Sequence, residues 1–235
     1  MSPANRLRRG SKLPCIAVAG EARSGKSSLI NRLLGESVLP TGWADDPRPA
    51  ILLRHASRHT LEVERPDGRR EPADWASASI HSVRTAQWLR FGLPIELLAR
   101  AQLIETPAFA TGDDDVERCA AAACGKADAA IWCTPAVQAW KASEADAWLD
   151  LPRRIRARSI LAVTYMDAVG DAAERARLEA RIRAEAAEHF AMHLMLGGVT
   201  GVRQGGAHPN AGTAADLLAA VENLVRRLGS PAQRR

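Results

Sequence analysis

The segment GEARSGKSS sets Gly20, Gly25, Lys26 and Ser27 at the G-x-x-x-x-G-K-S spacing of a phosphate-binding loop. Each residue type has a task. Glycines let the backbone turn sharply and aim its N–H groups inward. Lys26 brings a point charge to the β and γ phosphates of a nucleotide, and Ser27 offers its hydroxyl to Mg²⁺. The helix that follows presents its positive N-terminal end to the same phosphates. The residues expected around the phosphates are Gly20, Glu21, Ala22, Arg23, Ser24, Gly25, Lys26, Ser27 and Ser28.

Such a loop works only between a strand and a helix, and the chain supplies both: PCIAVA before it and KSSLINRLL after it. Further apolar runs of strand length lie at 50–54, 101–105, 129–133 and 159–164, with a weaker one at 194–199. Helix-like segments at 26–35, 113–126, 142–151, 172–192 and 213–228 fall between most of them. This alternation implies right-handed βαβ crossovers and a mainly parallel sheet covered on both faces, a three-layer, doubly wound α/β architecture. Residues 57–92 break the rhythm: TLEVERPDGRR reads as a strand entering a turn at Asp67 and Gly68, and the Trp-bearing stretch to Leu93 fits neither element.

Composition sets outer bounds. At 235 residues one nucleotide-binding domain of roughly 160–250 residues would use nearly the whole chain. Hydrophobic residues at 46% and charged ones at 25% exclude wholesale disorder. The balance is basic, with 32 Lys plus Arg against 27 Asp plus Glu, and much of the excess lies in the terminal segments SPANRLRRGSK and LVRRLGSPAQRR. These read as solvated tails, and by counterion release they could also draw the chain to an anionic membrane or a nucleic acid. With no signal peptide and no run of roughly 18 apolar residues, the chain reads as cytoplasmic. Its four cysteines read as core thiols: Cys15 and Cys133 in strands, Cys119 and Cys124 on an Ala-rich helix. His189 and His193 stand i, i+4 on an expected helix but lack a third metal ligand, and Asp113–Asp115 suit the first turn of a helix.

The longer string GEARSGKSSLINRLLGESVLPTG resembles the start of bacterial dynamin-like GTPases, a branch of the P-loop GTPase superfamily. LPIELLARAQLIETPAF resembles the approach to that family's Asp-x-Pro-Gly motif, AAIWCTPAVQAWKASE its fourth strand and following helix, and LAVTYMD its Thr-Lys-x-Asp guanine reader. The resemblance covers most of residues 14–167. It implies a Ras-like G domain over 14–229 between tails at 1–13 and 230–235, with GTP or GDP and Mg²⁺ as cofactors. Guanine would be met by Thr164, Tyr165 and Asp167, and Mg²⁺ by Ser27 and Glu105.

Several departures from the family pattern fall on its chemistry. The first switch usually carries a Thr ligand to Mg²⁺, whereas GWADDPRPAI offers Asp45, Asp46, Arg48 and Pro49, and Thr41 belongs to the preceding Leu-Pro-Thr-Gly. In the second switch Glu105 replaces Asp and Ala108 replaces Gly. Tyr165 stands for the Lys whose stem lies along the base; its ring either covers that face or caps the strand. Val199, Thr200 and Gly201 are the candidates for the last base-supporting loop. Arg23 lies three residues before Lys26, the place from which guanylate-binding proteins, a similar family, supply an internal arginine and where many dynamin-like proteins help hold a monovalent cation. Arg23 and Lys26 are therefore the expected catalytic residues, unless Arg23 is a solvent-facing loop residue.

The resulting expectation is a guanine-nucleotide-binding domain that hydrolyses GTP slowly, or only when paired with a second copy or a partner protein through its nucleotide face. A nucleotide-stabilised scaffold and an ATP-using P-loop enzyme are the alternatives. The chain leaves no room for the long stalk and membrane tip of full dynamin-like proteins, so any membrane contact would come through the basic tails or a partner. No specific nucleic-acid partner is indicated.

Overall fold

Strand β1 (Cys15–Gly20) is apolar throughout and buried at every position. A strand of that kind must lie inside a sheet with both faces covered. In the structure, a computed structural model that describes residues 13–41, 49–74, 85–197 and 212–229, it does. It pairs in parallel with β6 (Gln102–Glu105) on one side and with β7 (Ala129–Pro135) on the other. Beyond β7 the parallel run continues through β8 (Ile160–Thr164) to β9 (Met192–Met195).

On the other flank β2 (Ala50–His55) lies antiparallel to β6 and parallel to β5 (Trp88–Leu93). β3 (Thr60–Glu64) and β4 (Arg70–Ala73) then close the edge as an antiparallel pair. The nine-stranded sheet thus runs β4-β3-β5-β2-β6-β1-β7-β8-β9 and is mainly parallel.

The helices follow from the period-2 alternation of the strands. Ile16 and Val18 point to one face, where α1 (Lys26–Leu34) and α6 (Ala214–Gly229) bury Leu29, Ile30, Leu33, Leu217 and Val221. Cys15, Ala17 and Ala19 point to the other, covered by α2 (Asp114–Gly125), α3 (Ala142–Leu149), α4 (Arg153–Arg156) and α5 (Ala172–Glu185) through Ala120, Cys124, Trp148, Ile155 and Ile182. Small residues on that side of β1 leave room for large ones opposite. Trp132, Trp148, Phe190 and Trp140 fill it, with ring centroids 4.3–5.5 Å apart. The three-layer, doubly wound architecture expected from the sequence is therefore the observed one.

Some boundaries differ. β2 is not the parallel partner of a β1–α1–β2 crossover, because the long link after α1 brings the chain back in the opposite direction beside β6. The stretch before Leu93 that fitted no element ends in β5, and the predicted turn at Asp67 and Gly68 joins β3 to β4, with Gly68 at φ 83°. The helix expected to reach residue 192 ends at Glu185, and β9 occupies 192–195 instead of 194–199. His189 thus closes a short 3₁₀ turn and His193 lies in a strand, so the two share no helical face. Cys119 is exposed, contrary to a core role, whereas Cys15, Cys124 and Cys133 are buried. Burial pushes the Cys124 and Cys133 thiols up to about 12, which makes them inert packing groups. Asp113 caps α2, accepting from the Asp115 and Val116 amides. No helix of the described residues is long and apolar enough to cross a membrane.

At the antiparallel edge one carboxylate joins three strands. Glu64 of β3 accepts from Arg90 Nε of β5 at 2.6 Å and from Arg70 Nε of β4 at 2.7 Å. The Arg90 hydrogen bond, first among the causes, holds the Glu64 carboxyl below its ordinary 4.5. A depressed carboxyl contributes stability that is full above the unfolded value and is lost as pH falls through the folded one. Glu64→Gln should therefore destabilise the fold by about 1–3 kcal/mol at pH 7. In urea titrations the gap from wild type should close as pH drops below 4.5; a gap independent of pH would remove the ion-pair account.

Candidate nucleotide-binding site

β1 delivers the chain to the carboxyl edge of the sheet between β6 and β7, the crevice where open α/β sheets receive ligands. The turn that follows needs glycine at both ends. Gly20 has φ 141°, and a Cβ there would lie 2.2 Å from the Cys133 carbonyl oxygen of β7. Gly25, at φ 88°, is the N-cap of α1. Between them Arg23 is held in the left-handed region at φ 58°, a conformation that a non-glycine residue adopts only when its surroundings enforce it. Ala22 and Arg23 are exposed, whereas Ser24 is buried and its hydroxyl donates to the Glu21 carbonyl at 2.9 Å.

The Lys26 side chain folds back under this loop. Its Nζ donates to the Gly20 carbonyl at 3.1 Å and the Glu21 carbonyl at 2.6 Å. The first turn of α1 has no acidic residue of its own to oppose an anion at its positive end. Ser27 Oγ donates to Glu105 Oε1 at 2.6 Å, and Glu105 is only 4% exposed. A hydroxyl and a carboxylate side by side are hard oxygen donors of the kind Mg²⁺ takes, so the residues present fit that ion. Glu105 reaches Ser27 from the end of β6, which accounts for the tolerance of a carboxylate one methylene longer than the family's Asp.

After β6 the chain stays against the loop. The Phe109 amide donates to the Gly20 carbonyl at 3.2 Å and Phe109 bridges to Glu21, which sets half-buried Ala108 beside the phosphate loop. On the opposite side Asn31 of α1 clamps Leu39, donating to its carbonyl at 2.7 Å and accepting from its amide at 2.8 Å. This clamp fixes the start of Leu-Pro-Thr-Gly and leaves Thr41 exposed. Asp45, Asp46 and Arg48 of the first switch, and Val199, Thr200 and Gly201, lie outside the described residues.

β8 brings the residues expected at the base against the same loop. Thr164 is fully buried, its hydroxyl donating to the Ser24 carbonyl at 2.9 Å, so it braces the phosphate loop from below. Tyr165 has φ 59° and is half-buried. Its hydroxyl lies 3.3 Å from where a Gly25 Cβ would be, so the side chain packs on the phosphate loop and does more than cap the strand. Burial first, with the nearby charge of Asp167 adding to it, pushes the Tyr165 hydroxyl above its ordinary range. Asp167 is exposed two residues on, in a short 3₁₀ turn.

Sequence reasoning passed over the support behind Glu21. Lys141 forms an ion pair with Glu21 Oε2, and Ser143 Oγ donates to Oε1 at 2.7 Å. Beneath them the fully buried Glu144 carboxylate accepts from Trp132 Nε1, Thr134 Oγ1 and the Lys141 amide at 3.2, 2.8 and 3.1 Å. Burial, first among the causes, raises the Glu144 pKa against those hydrogen bonds, and the hydrogen bond to Glu21 raises that of Lys141. The sequence signal was the Lys-x-Ser-Glu at the start of α3, a capping box in which Glu144 reaches back to the helix N-cap.

Comparison with known proteins agrees with this geometry. The dynamin-like protein 2 of Campylobacter jejuni is 34% identical over 105 residues, a match covering 43% of this chain and 17% of that protein. A chain from an oligomerised bacterial dynamin pair, described as sensing and tethering membranes, superposes with a TM-score of 0.61 at 20% identity over 92% of this chain and 36% of its own. Era of Aquifex aeolicus, bound to GDP and AlF₄⁻, superposes with a TM-score of 0.55 at 15% identity over 94% of this chain and 58% of its own. This chain therefore spans less than half the length of the dynamin relatives it matches, and the structural likenesses speak to the fold. Residues 16–166, from β1 through the start of the turn that carries Asp167, match the model of the Dynamin family, and the chain belongs to that family.

Proposed function

We propose that residues 14–229 form a guanine-nucleotide-binding G domain that holds GTP or GDP with Mg²⁺ and hydrolyses GTP slowly, or when a second copy or a partner protein covers its nucleotide face. The observation that carries this is the direct packing of the two recognition elements. Thr164 and Tyr165, which lead to Asp167, rest on Ser24 and Gly25 of the loop that holds Lys26. Phosphate grip and base reading are thus parts of one rigid unit. The GDP and AlF₄⁻ bound to Era, a neighbour of the same fold, support a nucleotide at this place.

Within the unit, Lys26 and the α1 N-terminus neutralise the phosphates, Ser27 and Glu105 hold Mg²⁺, and Asp167 accepts from guanine N1 and N2. Mg²⁺ when bound would neutralise charge that builds on the β and γ phosphates. Arg23, exposed at the mouth of the loop, supplies a guanidinium where transition-state charge develops. Tyr165 covers one face of the base from its seat on Gly25. The oligomerised state of the bacterial dynamin neighbour supports self-assembly, and membrane contact would belong to the basic termini, to a partner or to segments outside this chain. A nucleotide-stabilised scaffold is favoured over the enzyme only if the switch residues, altered at Glu105 and Ala108, leave GTP bound and uncleaved.

Calorimetry with GDP, a non-hydrolysable GTP analogue and ATP tests the assignment: both guanine nucleotides should bind well and ATP poorly. Lys26→Ala should abolish detectable GDP binding in a folded protein, because water replaces the charge-assisted hydrogen bonds of a buried ammonium poorly. Unchanged affinity in that variant would remove the site.

Asp167→Asn should weaken GTP and strengthen xanthosine triphosphate, since the amide donates where the carboxylate accepted. If wild type binds ATP as well as GTP, this loop does not read guanine.

Arg23→Ala should leave GDP affinity nearly unchanged and lower single-turnover hydrolysis by about 10² or more. Turnover should rise with protein concentration if a facing domain completes the site. Undiminished hydrolysis in Arg23→Ala would keep the enzyme and discard this arginine's role, whereas bound GTP with no hydrolysis at any concentration selects the scaffold.

A further inference from the structure

Arg32 occupies the last turn of α1, where an arginine ordinarily offsets the helix dipole from solvent. Here it is half-buried and turned inward. Its Nη1 donates to the carbonyl of Gly197, the residue that follows β9 by two positions. The carboxylates whose charge acts on it are Asp167, from the turn after β8, and Asp216, from the first turn of α6. Asp216 is itself fixed, since Oδ2 accepts from both the amide and the hydroxyl of Thr213 at 2.6 and 2.7 Å. One guanidinium therefore sits where α1, α6 and the ends of β8 and β9 converge.

The ends of β8 and β9 are in turn locked to each other. The Leu196 amide donates to the Val163 carbonyl at 2.7 Å, and the Met166 amide donates back to the Leu196 carbonyl at 3.1 Å. Gly197 is covalently next to Leu196, and Asp167 is next to Met166. A continuous path of hydrogen bonds and peptide links thus runs from Arg32 through Gly197, Leu196 and Met166 to Asp167. The phosphate contacts lie elsewhere: Arg32 is six residues beyond Lys26, about 9 Å along the helix axis.

Resting on the assignment of Asp167 as the guanine acceptor, we infer that Arg32 is a positioning residue for base selectivity, holding the Asp167 turn and the chain after β9 at a fixed distance from the phosphate-loop helix. Its loss lets the base-reading carboxylate drift while leaving the phosphate grip in place. A guanine nucleotide then loses affinity, and an adenine nucleotide held by its phosphates alone does not. The planar fork suits the task better than an ammonium would, because it can engage a carbonyl while its delocalised charge still attracts Asp167 and Asp216.

The test measures GDP and ADP affinity with Mg²⁺ by calorimetry for wild type, R32A, R32K, D167N and the R32A/D167N pair. R32A should lower GDP affinity about tenfold or more while ADP stays within about twofold, and R32K should recover part of the loss. The double variant should bind GDP no worse than D167N alone, because both changes remove one contact. Equal losses for GDP and ADP, unchanged GDP affinity, or additive losses in the double variant would overturn the role of Arg32. If R32A does not fold, R32M keeps the stem, removes only the donors, and must show the same selective loss. Wild type that binds GDP and ADP alike would instead overturn the assignment of Asp167, and this inference with it.

Discussion

The Gly20 carbonyl oxygen accepts from Lys26 Nζ at 3.1 Å and from the Phe109 amide at 3.2 Å, and the same residue has no room for a Cβ against the Cys133 carbonyl. Three strands and the phosphate-loop lysine therefore meet at one glycine. β1 ends there, β7 presses on it from one side, and the chain leaving β6 is pinned to it from the other. If that position moved, the lysine would lose its seat, and the Glu105 end of β6 would shift relative to Ser27. The buried run Cys15–Gly20 and the small side chains facing α2 and α3 hold this point at the centre of the sheet.

The strain in the backbone has the same address. Among the described residues, the non-glycine positions with positive φ are Arg23, Ala110, Trp140 and Tyr165. They follow β1, β6, β7 and β8, the parallel strands that converge on the carboxyl edge. Each costs of order 1–3 kcal/mol and persists only where neighbours over-determine it. Those neighbours are visible. The Phe109 amide fixes the chain just before Ala110, the Trp140 amide donates to Thr134 Oγ1 at 3.0 Å, and Tyr165 is wedged against Gly25. The stability of the layered core is what allows four irregular loops to be held at one edge.

The fold was legible in the sequence because its signals are local. Buried strands such as CIAVAG and AAIWCTP are continuous apolar runs, and the phosphate-loop pattern fixes its own strand and helix. The flank was less legible. β2 runs antiparallel to β6, and no local pattern encodes strand direction after a long connection. β9 was misplaced because MHLM follows an Ala- and Arg-rich helix whose composition blends into it. In the site, spacing pointed to Lys26 and Ser27, and the family resemblance to Asp167. It could not show that Thr164 spends its hydroxyl on the Ser24 carbonyl, or that Arg32 reaches Gly197 across 165 positions. Partners that distant leave no periodic trace in a single chain.

The second position of the phosphate loop shows how such unseen partners become necessary. A glutamate at residue 21 places a carboxylate, with its side chain only 12% exposed, beside the site offered to phosphates, where its charge would repel them. Lys141 and Ser143 turn that carboxylate away, one by an ion pair and one by a hydrogen bond at 2.7 Å. Both are placed by the capping box of α3, whose Glu144 is anchored under Trp132 and Thr134 of β7. The Glu21 charge at the phosphate loop is thus balanced from the N-cap of α3, and the fully buried Glu144 holds that cap in place by accepting from the Lys141 amide. Glu21 is offset by Lys141 at the N-cap of α3 and by Ser143 in its first turn, and Glu144 ties that turn to β7, so these residues link the phosphate loop to the start of α3.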